Sequence, residues 1–248
     1  MRTVTIKLGN YKQQTRKAVA HFWGARDAAV KAQASRGKQD AGARGAVTAG
    51  GYMNGFLPLI WSILRTNGLP DAEVKQETLL QTLPGFFRPT KRWDYVVTHK
   101  GRLVAALEMK SQVGSFGNNF NNRCEEAIGS AADFWTAFRE GAFGDSPRPF
   151  LGYLVLVEDC PGSRTPVRTA SKWFPVFPEF AETSYIERYD LLCRKLVAES
   201  LYTAACVITS PTRSKIGDFG EQGAGTGVKR FLASLAATAA AAAVEKGS

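Results

Sequence analysis

Asp94, Glu108 and Lys110 are the residues of this 248-residue chain whose types and spacing suit a reaction. Strand residues two apart face the same side, so Glu108 and Lys110 share a face while Met109 points away. Trp93-Asp94-Tyr95-Val96-Val97-Thr98 is rich in β formers, as is Leu103 to Lys110, and the polar link His99-Lys100-Gly101-Arg102 lies between them. This pattern predicts an antiparallel hairpin centred near residues 100–101. Pairing about that centre sets Asp94 opposite residues 106–108, close to Glu108. Two carboxylates and an ammonium then converge at one end of a sheet.

Converging carboxylates are hard oxygen donors that suit Mg2+, which keeps positions open for water and a phosphate oxygen. The ion stabilises charge on the phosphate and lowers the pKa of bound water, while a nearby lysine orients that water or neutralises developing charge. A second ion, where present, lies about 3.5–4 Å from the first. The chemistry expected is in-line hydrolysis of a phosphodiester. An exposed strand that merely alternates acid and base would carry the same residues. The preceding run Leu103-Val104-Ala105-Ala106-Leu107 is wholly apolar, however, so Glu108 and Lys110 end a core strand rather than decorate an edge. Charges are rarely buried without a partner or a metal.

The charge balance is the next constraint. Thirty-two Lys and Arg against 22 Asp and Glu give +10 and a pI near 9.6. Residues 1–50 hold ten basic side chains against Asp27 and Asp40, a local balance of +8. Such a field attracts polyanions, and nucleic acid is the commonest in a cytoplasm; a solvated, solubilising helix face is the other reading. Cys124, Cys160, Cys193 and Cys206 are scattered without a C-x-x-C pair. With two histidines beside them they argue against a zinc site and read as reduced core thiols of a cytoplasmic protein. FLPLIWSIL and LGYLVLV fall short of the roughly 20 residues that span a bilayer, and no signal peptide is expected. His21 reads as structural on an apolar helical stretch and His99 as exposed in a turn. Neither has the company that a His-metal nuclease or a serine or cysteine hydrolase needs.

The elements that must position the site follow from periodicity. Val19, Phe22, Trp23, Arg26 and Val30 predict an amphipathic helix within 11–35, ended by the loop SRGKQDAGARG. Met53, Phe56, Leu57, Ile60, Ile63 and Leu64 predict a second over 52–66, and Asp71 caps a short third over 72–82 that carries Glu73 and Glu77. After the hairpin and a Gly- and Asn-rich loop, Phe120, Cys124, Ala127, Ile128, Ala131, Trp135 and Phe138 mark a helix over 119–139. Residues 150–157, apolar without alternation, predict a buried strand. Residues 161–183, with four prolines, are irregular. A helix over 184–199, a strand over 204–209 and an alanine-rich helix from about 228 complete the chain. Gly220 to Arg230 lacks the Gly-Lys-Ser/Thr ending of a phosphate loop and reads as a flexible connection. The expected fold is a single α/β domain with a mixed central sheet flanked by helices. It divides into a basic helical N-terminal part (about 1–85), a catalytic α/β core (about 86–210) and a C-terminal helix (about 228–245).

Base reading needs paired donors and acceptors on loops or helix ends that enter a groove. Asn118, Asn119, Asn121, Asn122 and Arg123 follow the catalytic strand and open a helix, although Asn118 or Asn119 would serve equally as a cap. Lys38 and Arg44 lie in the Gly-rich loop with Gln39 and Asp40, where a solvated linker is the competing role. Arg164, Arg168 and Lys172, and Arg213 with Lys215, form further basic clusters.

Asp94 followed by Glu108-Met109-Lys110 resembles the motif of the PD-(D/E)-x-K nucleases, which lies on such a hairpin; Trp93 stands where that motif has Pro. A longer likeness covers most of the chain. AVAHFWGARDAAVKAQ, GKQDAGARGAVTAGG, MNGF, WDYVV, LEMKSQVG and SFGNNFNNRCEEAIGSAADFW resemble the XhoI-like type II restriction endonucleases. The resemblance implies a restriction-endonuclease-like core and a Mg2+-dependent homodimer within a restriction-modification system. It further implies cleavage of double-stranded DNA at the palindrome CTCGAG after its first C, leaving four-base 5′ overhangs. A protective DNA methyltransferase would be a functional companion, not a bound subunit. Carried over by position, Asp94 and Glu108 would be metal ligands, the Met109 backbone carbonyl a further ligand, and Lys110 the catalytic lysine. Some members of the superfamily add an acid from a preceding helix, for which Glu77 and then Glu73 are candidates. Glu125 and Glu126 are candidates for ordering water near the metal. Plain surface solvation competes for all four. Two alternatives stay open: a nuclease of this superfamily serving repair or junction resolution, and a DNA-binding protein without catalysis.

Overall fold

The computed structural model describes residues 5–35, 51–75 and 81–244. Val19, Phe22 and Trp23 are buried on helix α1 (Tyr11–Ser35), as their spacing predicts. A 3-10 turn (Tyr52–Phe56) leads into α2 (Leu57–Thr66), with Pro58 in its first turn, where a missing N–H costs nothing. Then follow β1 (Glu73–Lys75), β2 (Thr82–Pro84), β3 (Thr90–Arg92), β4 (Tyr95–His99), β5 (Arg102–Gln112) and α3 (Phe116–Arg139). The second half is β6 (Phe150–Asp159), a single helical turn (Pro161–Arg164), α4 (Tyr185–Ala198), β7 (Ala204–Pro211), β8 (Gly220–Glu221) and α5 (Val228–Val244).

Six strands form a mixed sheet in the order β1-β4-β5-β6-β7-β8. The centre, β5-β6-β7, is parallel, and antiparallel strands lie on either side. Parallel strands are covered on both faces, which is why β6 and β7 are apolar at nearly every position. One face packs Tyr95, Leu107, Met109, Leu154 and Ile208 against α1, α2 and α5. The other packs Val96, Ala106, Tyr153, Val155 and Val207 against α3 and α4. The β4–β5 hairpin turns at Lys100 and Gly101, both at positive φ (50° and 76°), the conformation of a two-residue primed turn.

Several expectations require correction. Where a short helix is expected over 72–82, the described residues at its two ends are not helical: residues 73–75 are strand β1, paired with β4 (Glu73↔Thr98, Lys75↔Val96), and β2 begins at Thr82, while residues 76–80 lie outside the described residues. The part about 1–85 is therefore not purely helical. Pairing satisfies the outer backbone groups of β4, and Val74 packs on the core, which outweighs the weak helical tendency of so short a segment. Helix α3 starts at Phe116 rather than 119, because buried Phe116 stacks on Tyr185 (5.8 Å between centroids). Asn118 and Asn119 thus lie inside its first turn and are not caps. Gly220–Arg230 is no free loop: β8 pairs with β7, and the Glu221 carboxylate accepts the Val228 N–H at the start of α5. His21 is exposed rather than part of the core. All four cysteines are free thiols, Cys193 and Cys206 buried and the other two partly so. Among the described residues no helix is long and apolar enough to cross a membrane.

The β2–β3 ribbon stands outside the main sheet and is clamped to α3 by one carboxylate. Asp133, 2% exposed, accepts from the backbone N–H of Phe86 (2.7 Å), Phe87 (2.8 Å) and Arg88 (3.3 Å), and from Arg88 Nε (2.8 Å). A Cβ on Gly85 would meet Asp133 Oδ2 at 2.5 Å, so this turn requires glycine. Burial pushes the Asp133 carboxyl up, but the Arg88 guanidinium and the three N–H groups outweigh it and hold it below its ordinary value. Asp133→Ala strands these donors and should cost about 2–4 kcal/mol in urea unfolding. Because the folded carboxyl is held low, its stabilisation is complete above about pH 4 and is lost only as the pH falls through the lower folded value. The deficit should therefore be constant from pH 5 to 8; a loss below about 0.5 kcal/mol would show that the clamp does not matter.

Candidate active site

The site grows from the way the β4–β5 ladder ends. Tyr95 pairs with Leu107, and one residue earlier the Asp94 N–H donates to the Leu107 carbonyl (3.1 Å). Asp94 Oδ2 then accepts the N–H of Met109 (2.7 Å), so a side chain takes the place of the next strand carbonyl. This fixes the carboxylate beside the second half of β5. The Gln81 amide donates to the Asp94 carbonyl from the other side.

Alternation along β5 does the rest. Ala106 faces α3 and α4, and Glu108 and Lys110 continue on that face, while Met109 is buried on the opposite one. The Glu108 side chain is 5% exposed and carries an ammonium at each oxygen: Lys110 on Oε1, and Lys91 of β3 on Oε2 at 2.7 Å. Lys110 also lies 3.8 Å from Glu126 of α3, which is paired with Arg123 (2.7 Å).

Electrostatics follow from this crowding. Burial and the neighbouring Glu108 charge push the Asp94 carboxyl up to about 6, against the pull of the Met109 N–H, Lys110 and Lys91. Burial raises Glu108 as well, but Lys110 and Lys91 outweigh it and hold that carboxyl below its ordinary value. Burial alone would lower Lys110; Glu108, Asp94 and Glu126 instead hold it above the usual lysine range. The site is thus two acids held at different acidities, with Lys110 kept protonated.

The expected trio of Asp94, Glu108 and Lys110 is brought together. Among the described residues no group of three His, Cys, Asp or Glu side chains converges to hold a metal. Two carboxylates and strand carbonyls are the oxygen donors here, a set that suits Mg2+, which typically keeps water and substrate phosphate in its shell. The crowding that raises Asp94 is also relieved by a cation. Glu126 joins the site through Lys110, whereas Glu125 is exposed. Glu73 pairs opposite Thr98, toward the far end of β4 from Asp94, and is not brought to the acids. Glu77, Lys38 and Arg44 lie outside the described residues. Asn118, Asn121 and Asn122 are exposed along one side of the first turns of α3. Asn119 is turned back onto the Ser115 carbonyl (3.1 Å), and Arg123 is engaged by Glu126. Arg164 and Arg213 are paired with Asp159 and Asp27. Sequence reasoning missed Lys91 and Gln81. The signal for Lys91 was its two-residue spacing from Trp93, which in an extended segment puts both on one face.

A mixed sheet covered by helices on both faces is the architecture of the restriction-endonuclease fold, here with an acidic pair and a lysine at the end of its hairpin. The family model described as Restriction endonuclease XhoI matches residues 32–221. The type II restriction enzyme XhoI of Xanthomonas vasicola is 52% identical over 197 residues, 78% of either chain. The type II restriction enzyme AbrI of Azospirillum brasilense is 56% identical over 161 residues, 64% of this chain and 72% of that one. The type II restriction enzyme BstVI of Geobacillus stearothermophilus is 50% identical over 178 residues, 69% and 79% of the two chains. No solved structure matches the chain. The chain belongs to the XhoI restriction endonuclease family and is a type II restriction endonuclease.

The raised Asp94 carboxyl has a consequence for stability. Its folded value, about 6, exceeds the ordinary 3.8, so ionised Asp94 costs stability above pH 6, and the cost fades as the pH falls toward 4. Asp94→Asn should therefore be more stable than the wild type to urea in EDTA at pH 8, by about 1–3 kcal/mol. The two should converge near pH 4. A variant less stable than wild type at pH 8 would contradict the crowding of the two acids.

Proposed function

We propose that the enzyme hydrolyses double-stranded DNA at the palindrome CTCGAG, cutting after the first C to leave 5′ overhangs, with Mg2+ as its divalent metal. The observation that carries the reaction is the convergence of Asp94 and Glu108 on one sheet end with Lys110 beside them. Asp94 and Glu108 would hold the ion. The Met109 backbone supports this, because its N–H is directed to Asp94 and its carbonyl shares that side of β5. When bound, the ion stabilises charge on the phosphate and activates water. Lys110, kept charged by Glu108, neutralises the developing charge and orients the nucleophile.

The enzyme is a single domain made of a basic part (about 1–85), a catalytic core (about 86–210) and a C-terminal helix (about 228–245). Exposed Asn118, Asn121 and Asn122 meet the bases, with Asn119 and Arg123 beside them and Lys38 and Arg44 contributing from the basic loop. A two-fold palindrome is matched by a homodimer, each subunit cutting one strand. A DNA methyltransferase protects host sites without being a bound subunit. Four free thiols fit a reducing compartment, the cytoplasm.

Two matched duplexes, one with CTCGAG and one with that site scrambled, test this in Mg2+ and in EDTA. Only the CTCGAG duplex should be cut, only with Mg2+, and Glu108→Ala should lose at least about 10³-fold in rate. Cutting of both duplexes would discard the recognition sequence, and cutting by Glu108→Ala would discard the site.

A further inference from the structure

Glu108 carries two ammonium groups, and only one belongs to the hairpin. Lys110 lies two residues along the same strand. Lys91 arrives from the separate β2–β3 ribbon and meets Glu108 Oε2 at 2.7 Å, with its own side chain 12% exposed. The Lys91 ammonium also sits 4.5 Å from the centroid of the Trp93 ring and 3.3 Å from the Arg92 carbonyl oxygen. Trp93 is buried edge-on against Phe134 (5.4 Å), so its ring is a fixed surface. The ammonium therefore has two partners besides Glu108, an aromatic face and a carbonyl, which remain beside it if it leaves the carboxylate.

A divalent ion at Asp94 and Glu108 needs a carboxylate oxygen that an ammonium now occupies. A divalent ion and an ammonium on one sheltered carboxylate repel strongly, so one ammonium must withdraw. Lys110 is held to the site from two sides, by Glu108 and by Glu126 at 3.8 Å. Lys91 stands on a ribbon outside the main sheet and has the Trp93 face to retire to. We propose that Lys91 is a built-in counter-ion: it pairs with the Glu108 carboxylate and aims it while the metal is absent, and it yields Oε2 to the metal. Lys91 is a positioning residue that acts through Glu108. It competes with the ion rather than assisting it, and it spares the metal-free enzyme an uncompensated buried charge. The inference rests on the reading of Asp94 and Glu108 as metal ligands.

The test uses the full-length, DNA-free protein with Lys91→Met, Lys91→Gln and Lys91→Arg. Mn2+ binding is read from the loss of the free-ion electron paramagnetic resonance signal, and thermal unfolding is measured in EDTA. Both neutral variants should bind Mn2+ at least about fivefold more tightly than the wild type. Both should also unfold at lower temperature in EDTA, and Lys91→Arg should remain near wild type in each measurement. Mn2+ binding by the neutral variants that is equal to wild type or weaker overturns the proposal. Failure of the underlying reading looks different: wild type binds no Mn2+, or Asp94→Asn and Glu108→Gln bind it undiminished. Lys91→Gln keeps the test open should Lys91→Met fail to fold.

Discussion

A carboxylate buried at the end of an apolar strand must be compensated, and the arrangement around Glu108 is the result of that requirement. Leu103 to Leu107 fill the core on both faces of β5, and Glu108 continues the strand with 5% of its side chain exposed. A lone buried charge at that position would destabilise the fold by several kcal/mol. Lys110 answers it from the same strand and Lys91 from a second ribbon. Asp94, fixed by the Met109 N–H, then brings a second acid close enough for its own carboxyl to be pushed up to about 6. The site accordingly holds charges in tension in the absence of a metal, and a cation relieves that tension.

The remaining architecture serves to hold this arrangement still. The parallel centre of the sheet, covered on both faces, is the rigid part, and both acids lie where β4 begins and β5 runs on past it. Helix α3 links the site to the outside: Glu126 reaches Lys110, Asp133 clamps the ribbon that carries Lys91, and Asn118, Asn121 and Asn122 lie exposed at the opposite end. One helix thus touches Lys110 and the ribbon that carries Lys91, and it bears the residues proposed to read bases. Membership in the XhoI restriction endonuclease family gives that layout its purpose, because a restriction enzyme must couple recognition to cleavage.

Much of this was legible in the amino-acid order. The hairpin, its turn at Lys100-Gly101, the shared face of Glu108 and Lys110, and α1, α4 and α5 rest on local periodicity, which survives folding. What escaped depends on distant partners. Strand β1 exists because β4 offers an edge, and β2 and β3, three residues each, are too short to carry a periodic signal. Lys91 was invisible for the same reason, since its role arises only when the ribbon folds over Trp93. The start of α3 was misplaced because stacking of Phe116 on Tyr185, 69 positions away, decides it.

The proposed metal site depends on Asp94 and Glu108 acting together. Crystals of the enzyme with a CTCGAG duplex and Mn2+, measured at a wavelength where manganese scatters anomalously, test it most directly. An anomalous peak is expected about 2.0–2.3 Å from a carboxylate oxygen of each residue. A fully occupied ion held by other side chains, with Glu108 still capped by both lysines, would contradict it.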